Sequence, residues 1–208
     1  MKKTFLLSCL MLAAMPVMAA YTGHVYVDKN KNGVFDQSEK PLAGIKVSDG
    51  LNVVETAADG SFTLPGHERE RFIFITTPSG YKTFNRHYHK IEKKQSGYDF
   101  GLIPYSGRIR KNGSHRYIHI TDTEIFNTEN HADWVNNVHD YARNEQAAFI
   151  IHTGDICYEK GLKAHIKLMN TENMDCPVFY CIGNHDLVKG KYGEELFESI
   201  YGPVYYSF

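Results

Sequence analysis

Cysteine is scarce in this sequence, and the few present cannot form a framework. Of four cysteines in 208 residues, Cys9 lies in an export-type N-terminal segment, which leaves Cys157, Cys176 and Cys181, an odd number. Cys176 and Cys181 flank "PVFY", which reads as strand. Five extended residues separate their α-carbons by roughly 16 Å, beyond disulfide reach. Either one could pair with Cys157, so at least one thiol stays free and no disulfide scaffold is expected. A strong charge imbalance is also missing: the formal net charge is -1. That gives no signal for a nucleic-acid or anionic-membrane partner. Internal repeats and low-complexity tracts are absent, which excludes solenoids and disordered linker arrays.

Long apolar runs are lacking too, apart from the first residues. "MKKTFLLSCLMLAAMPVMAA" has two lysines, an apolar run and small residues, the layout of a secretory signal cleaved after Ala19 or Ala20. The run is too short to span a bilayer as a helix, so no transmembrane segment is expected once residues 1–20 are removed. The chain is thus read as exported, to the periplasm or cell surface of a bacterium.

What is present falls into two rhythms. Residues 21–104 hold short runs rich in β-branched and aromatic residues, "HVYVD", "GIKVSD", "NVVET", "SFTLP" and "RFIFITTP". Asp49-Gly50 and Asp59-Gly60 suit tight hairpin turns between them. This half is expected to be an all-β sandwich. Residues 105–116, "YSGRIRKNGSHR", read as a linker. From 117 to 208, strand and helix alternate as in a parallel α/β (βαβ) sheet. "RYIHITD", "AAFIIHTGD" and "PVFYCIGNHD" are strands, and "VYYSF" begins another. The first helix is expected to bury Trp134, Val135, Val138, Tyr141 and Ala142, the second Leu162, Ile166 and Met169. "EELFESIYGP" is a third helix, stopped by Gly202 and Pro203.

Three polar motifs close the three strands: Asp122-Thr123-Glu124, Gly154-Asp155 and Asn184-His185-Asp186. Their separations match strand–helix–strand units of about 30 residues. Ligands in open α/β sheets bind outside the carboxyl ends of the strands, so these motifs should converge. Converging carboxylates repel unless a positive charge lies between them, and oxygen ligands favour hard cations. Elsewhere, His119 and His152 read as structural residues on strands, His139 and His165 as helix-surface residues, and Cys157 as a small packed residue.

The set "TDTE…HTGDI…GNHD" resembles the first part of a calcineurin-like metallophosphoesterase, over residues 115–208. That resemblance implies two divalent metal ions (Mn, Fe, Mg or Zn) and attack of a hydroxide on a phosphate-ester substrate. It implies that Asp122 and Glu124 bind the first metal, that Asp155 bridges both, and that Asn184 binds the second. His185 would protonate the leaving oxygen, and Asp186 would orient its imidazole. Glu124 stands where the family usually has His, which would shift preference from zinc toward manganese, iron or magnesium. The family's later histidines, including a G-H-x-H, have no counterpart before Phe208. The chain is therefore expected to carry a truncated α/β half with little turnover alone. A non-catalytic envelope or surface binding module, with a degenerate phosphoesterase half, is the alternative.

The first half has its own motif, "DKNKNGVFDQSE". Asp28, Asn30, Asn32, Asp36 and Glu39 occupy positions 1, 3, 5, 9 and 12 of an EF-hand-type loop, with the Val34 carbonyl at position 7. No helix flanks it. The stretch resembles the Asp/Asn-rich loop of B-type repeats in Gram-positive adhesins and the N-terminal β-domain preceding some Bacteroidetes phosphoesterases. Calcium is the expected ligand.

Overall fold

The structure, a computed structural model, describes residues 20–105 and 112–208. The expected export signal, Ala20 excepted, and residues 106–111 of the expected linker lie outside the described residues.

Alternation governs the first half. In β1 (Ala20–Val27) it turns Tyr21 and Val25 inward. β5 (Ser61–Pro65) and β2 (Lys40–Pro41) pair antiparallel with successive parts of one edge of β1. On its other edge β1 pairs in parallel with β9 (Phe100–Pro104), which continues to β7 (Tyr81–Thr83). A second, antiparallel sheet runs β4 (Val53–Glu55), β3 (Lys46–Ser48), β6 (Phe72–Ile75), β8 (Tyr88–Lys90). Val25, Leu64, Phe100 and Leu102 from the first sheet share one core with Val47, Ile73 and Ile75 from the second. Asp49-Gly50 makes the expected hairpin: Asp49 Oδ1 accepts the N–H groups of Leu51 and Asn52 at 2.9 and 2.7 Å. Asp59-Gly60 is a turn but not a hairpin within one sheet, because β5 pairs with β1 and not with β4. A β-carbon on Gly60 would lie 2.6 Å from the Val25 carbonyl oxygen, so the crossing onto β1 requires glycine.

The second half is a parallel sheet of β10 (Tyr117–Ile120), β11 (Phe149–His152) and β12 (Val178–Tyr180). Three helices join it: α1 (Ala132–Asn144), α2 (Tyr158–Leu168) and α3 (Glu195–Tyr201). α1 buries Val135 and Ala142, with Val138 half-buried, but Trp134 is 39% and Tyr141 60% exposed. The buried stripe is i, i+3, i+7, and the two aromatics stand one residue, about 100°, off it. His165, expected at the surface, is fully buried. It shares the apolar stripe of α2 with Leu162 and Met169, and its Nδ1 meets the Tyr201 hydroxyl of α3 at 2.9 Å.

"VYYSF" is not a strand. The Tyr206 hydroxyl accepts the Tyr180 N–H at 2.9 Å and donates to the Tyr180 carbonyl at 2.7 Å. A side chain thus satisfies the β12 groups that a neighbouring strand would have used. Phe208 stacks on Phe179. The halves meet where Tyr88 packs on the Gly202 backbone and Arg71 pairs with Glu194 (2.5 Å) and Glu198 (3.1 Å). Cys157 and Cys181 carry no disulfide bond. Among the described residues no helix is long and apolar enough to cross a membrane.

Candidate metal centre

Register places the three motifs together. Ile120 is opposite His152, and His152 opposite Tyr180, so the carboxyl ends of β10, β11 and β12 lie side by side. The loops leaving these ends are bonded to one another. The Asp122 N–H donates to the Gly154 carbonyl at 3.1 Å, and the His185 N–H donates to Asp155 Oδ1 at 3.0 Å. Two glycines permit this approach. A β-carbon on Gly154 would lie 2.4 Å from the Gly183 nitrogen, and one on Gly183 would lie 2.2 Å from Asp155 N and Oδ1.

Backbone strain concentrates in the same loops. Asp122, Glu124, Asp155, Cys157 and Tyr158 all have left-handed φ, of 53°, 44°, 52°, 81° and 54°. Such a conformation costs about 1–3 kcal/mol per residue and persists only where the surroundings over-determine it, which is common at functional sites.

Charge is one-sided here. Among the described residues no lysine, arginine or histidine forms an ion pair with Asp122, Glu124, Asp155 or Asp186. Asp122, Glu124, Asn184 and His185 are exposed, and Asp155 is half-buried. Among the described residues, Asp155 Oδ1 holds the His185 N–H, Asp122 Oδ2 accepts from the Thr121 hydroxyl at 2.5 Å, and Glu124 lies beside the Cys157 thiol. The other carboxylate and amide oxygens of the set accept no hydrogen bond from a side chain among the described residues. Carboxylate and amide oxygens fit hard divalent cations. The ligand atoms of Glu124, Cys157 and His185 also lie within 4.8 Å of one another.

Asp186 does not hold the His185 ring. It is fully buried, and its two oxygens accept the N–H groups of Cys157 and Gly183, both at 2.9 Å. Burial pushes its carboxyl above the usual range, and these two bonds pull the other way. Its place is between the loops, as a tie from the α2 entry to the turn after β12.

The imidazole instead meets two residues that sequence reasoning did not assign to the site. Its Nδ1 lies 3.6 Å from Cys157 Sγ, and its ring stacks on Tyr158 with centroids 5.9 Å apart. Burial, then the nearby Glu124, Asp186 and Asp155 carboxylates, push the Cys157 thiol up to about 11. The sulfur therefore keeps its proton near neutrality, and the ring nitrogen that meets it is Nδ1, not Nε2. The sequence signal was the adjacency of Cys157 and Tyr158 to Asp155 at the mouth of α2. Behind the site, His152 is buried, with Nε2 3.0 Å from the Thr123 hydroxyl and Nδ1 accepting the Gly154 N–H at 3.2 Å. Burial pushes it down to about 4, so it supports both loops as a neutral ring.

Asp49, His67 and Glu70 form another compact group, in the first half. Its oxygens are already engaged, Asp49 by Leu51 and Asn52, Glu70 by Tyr21 and the His67 N–H.

Comparison with known proteins agrees with this geometry. Residues 29–104 match the model for the N terminal of calcineurin-like phosphoesterase, and residues 115–207 match the model for calcineurin-like phosphoesterase itself. No curated protein matches the chain. The two matches are consecutive, and the second spans all three loops of the acidic centre, so the chain belongs to the calcineurin-like phosphoesterase family.

Proposed function

We propose that the protein is an exported, metal-dependent phosphoesterase that hydrolyses a phosphate mono- or diester at a two-metal centre. The observation that supports this reading is that the loops carrying Asp122, Glu124, Asp155 and Asn184 leave three adjacent parallel strand ends, with no basic side chain among the described residues paired to these carboxylates. Asp122 and Glu124 would hold one cation, Asn184 the other, and Asp155 would lie between them. When bound, the two ions supply positive charge against the phosphoryl oxygens and a water of lowered pKa. His185 stands exposed beside this set with its Nδ1 toward Cys157, so Nε2–H of its protonated, imidazolium form is the group that would meet the leaving oxygen as a general acid. Asp186 and the glycines Gly154 and Gly183 keep the loops at the required separation. The first half is proposed to act as a separate β-sandwich domain, and the site of action to be the periplasm or cell surface of a bacterium.

Hydrolysis of p-nitrophenyl phosphate and bis(p-nitrophenyl) phosphate by the natural gene product in manganese tests the reading. His185→Asn should lower turnover by about 10²–10⁴-fold, the range of a lost general acid. Wild type and variant equally inactive across Mn, Fe, Mg and Zn would end the enzyme reading.

A further inference from the structure

The loop from Asp28 to Glu39 carries charge that the phosphoesterase site does not use. Asp28 is 1% and Glu39 6% exposed. Among the described residues no lysine, arginine or histidine pairs with Asp28, Asp36 or Glu39. Buried carboxylates without a cationic partner are costly, and in proteins they are paired or bind metal.

The loop is already folded around these groups. Asp28 accepts the N–H groups of Asn32 (3.1 Å) and Gly33 (2.9 Å), and Glu39 accepts those of Lys29 (3.0 Å) and Asp36 (3.3 Å). Residues 1 and 12 of the motif are thereby drawn together, and Gly33, with φ 70°, makes the sharp turn at position 6. Each carboxylate oxygen keeps acceptor capacity beyond its single N–H.

An independent observation points into the nest. The Tyr26 side chain is fully buried, yet its hydroxyl has no hydrogen-bond partner among the described residues. It faces the same space as Asp28: a β-carbon on Gly101 would lie 3.2 Å from the Tyr26 hydroxyl and 3.0 Å from Asp28 Oδ2. Burial first, then the Asp28, Glu39, Asp99 and Asp36 carboxylates, push its proton loss well above the usual tyrosine range. A neutral hydroxyl inside an acidic pocket, unbonded, is short of an oxygen partner such as a cation's water shell.

We propose that loop 28–39 binds one calcium ion through Asp28, Asn30, Asn32, the Val34 carbonyl, Asp36 and Glu39, with the Tyr26 hydroxyl against the ion's coordinated water. An all-oxygen set of this size suits calcium better than magnesium, which demands a tight octahedron. The carboxylate oxygens of Asp28, Asp36 and Glu39 do not all lie within 4.8 Å of one another. Asp36 is engaged by Ser38, whose N–H and hydroxyl donate to Oδ1 at 2.9 and 2.5 Å, so binding draws Asp36 away from Ser38. The ion would fasten the end of β1 to β9, where the Asp28 N–H already bonds the Leu102 carbonyl at 2.9 Å.

Terbium luminescence excited through tyrosine tests this on the whole chain, in an Asp155→Asn background that weakens the phosphoesterase centre. Expected are saturable Tb³⁺ emission, displacement by calcium well before magnesium, and a calcium-dependent rise in melting temperature. Tyr26→Phe should remove most of the sensitised emission. Asp36→Asn, on the solvent side of the loop, should weaken calcium at least about tenfold while the calcium-free protein melts as before. Absence of both the emission and the melting shift overturns the proposal. So does emission that neither Tyr26→Phe nor Asp36→Asn alters, since the ion would then sit elsewhere. Because Asp155 is already changed in this background, failure here leaves the phosphoesterase reading standing.

Discussion

Replacing Asp186 separates a structural tie from a catalytic orienter. Asp186→Ala would strand the N–H groups of Cys157 and Gly183, both held at 2.9 Å by a fully buried carboxylate. An orphaned buried donor costs about 1–3 kcal/mol, so two set a range of about 2–6 kcal/mol. Part of the carboxylate's contribution is already lost to its own burial, as its raised pKa indicates, which favours the lower half, about 2–4 kcal/mol. That is a large share of a domain stability of about 5–15 kcal/mol. Urea unfolding of the wild type, Asp186→Ala, His185→Ala and the double variant measures it. His185 is exposed and makes no side-chain bond to Asp186, so the two losses should add within about 0.5 kcal/mol. A loss below about 0.5 kcal/mol for Asp186→Ala, or coupling to His185 above about 1 kcal/mol, would refute the reasoning and restore the orienting role.

Other perturbations address the site and its support. Gly183→Ala puts a β-carbon 2.2 Å from Asp155 N and Oδ1, so manganese affinity should fall by at least about tenfold, read by titration. Glu124→His should move the preference from manganese toward zinc, measured by competition between the two ions. Acid should destabilise the fold through His87, His152 and His165, pushed by burial down to about 4, 4 and 3. The unfolded chain binds more protons than the folded one between about pH 6.5 and 4, so this stability is complete above pH 6.5 and is lost on acidification. Glu198, raised to about 7 chiefly by burial, acts with the opposite sign: its contribution is present at low pH and is lost as pH rises from about 4.5 to 7. Urea midpoints should therefore fall toward acid in the wild type, and Glu198→Gln, by removing the opposing trend, should make that fall steeper.

The placement of the three motifs at adjacent strand ends was legible in the sequence because parallel strands in register leave little freedom for the segments leaving them. A motif at the end of β10, β11 or β12 must appear at the same sheet edge. Their hydrogen bonds were not legible, because these depend on how the loops pack on one another. Asp186 faces the Cys157 and Gly183 N–H groups through a 3-10 turn whose direction no local pattern specifies. Cys157 was expected to be a packed residue; it is buried, but its sulfur also lies against His185. His165 misled because polarity was read before position: its place in the α2 stripe outweighs its type once Tyr201 supplies a partner. "VYYSF" has strand propensity, yet the Tyr206 hydroxyl takes the β12 edge that its backbone would have used.

The most direct test of the central claim is manganese titration of the chain with calcium in excess, comparing wild type with Asp155→Asn. Saturable binding that the single substitution weakens by about 10–100-fold, with unfolding by urea unchanged within error, is the predicted result. Equal manganese binding by the two proteins would contradict a metal centre at these strand ends.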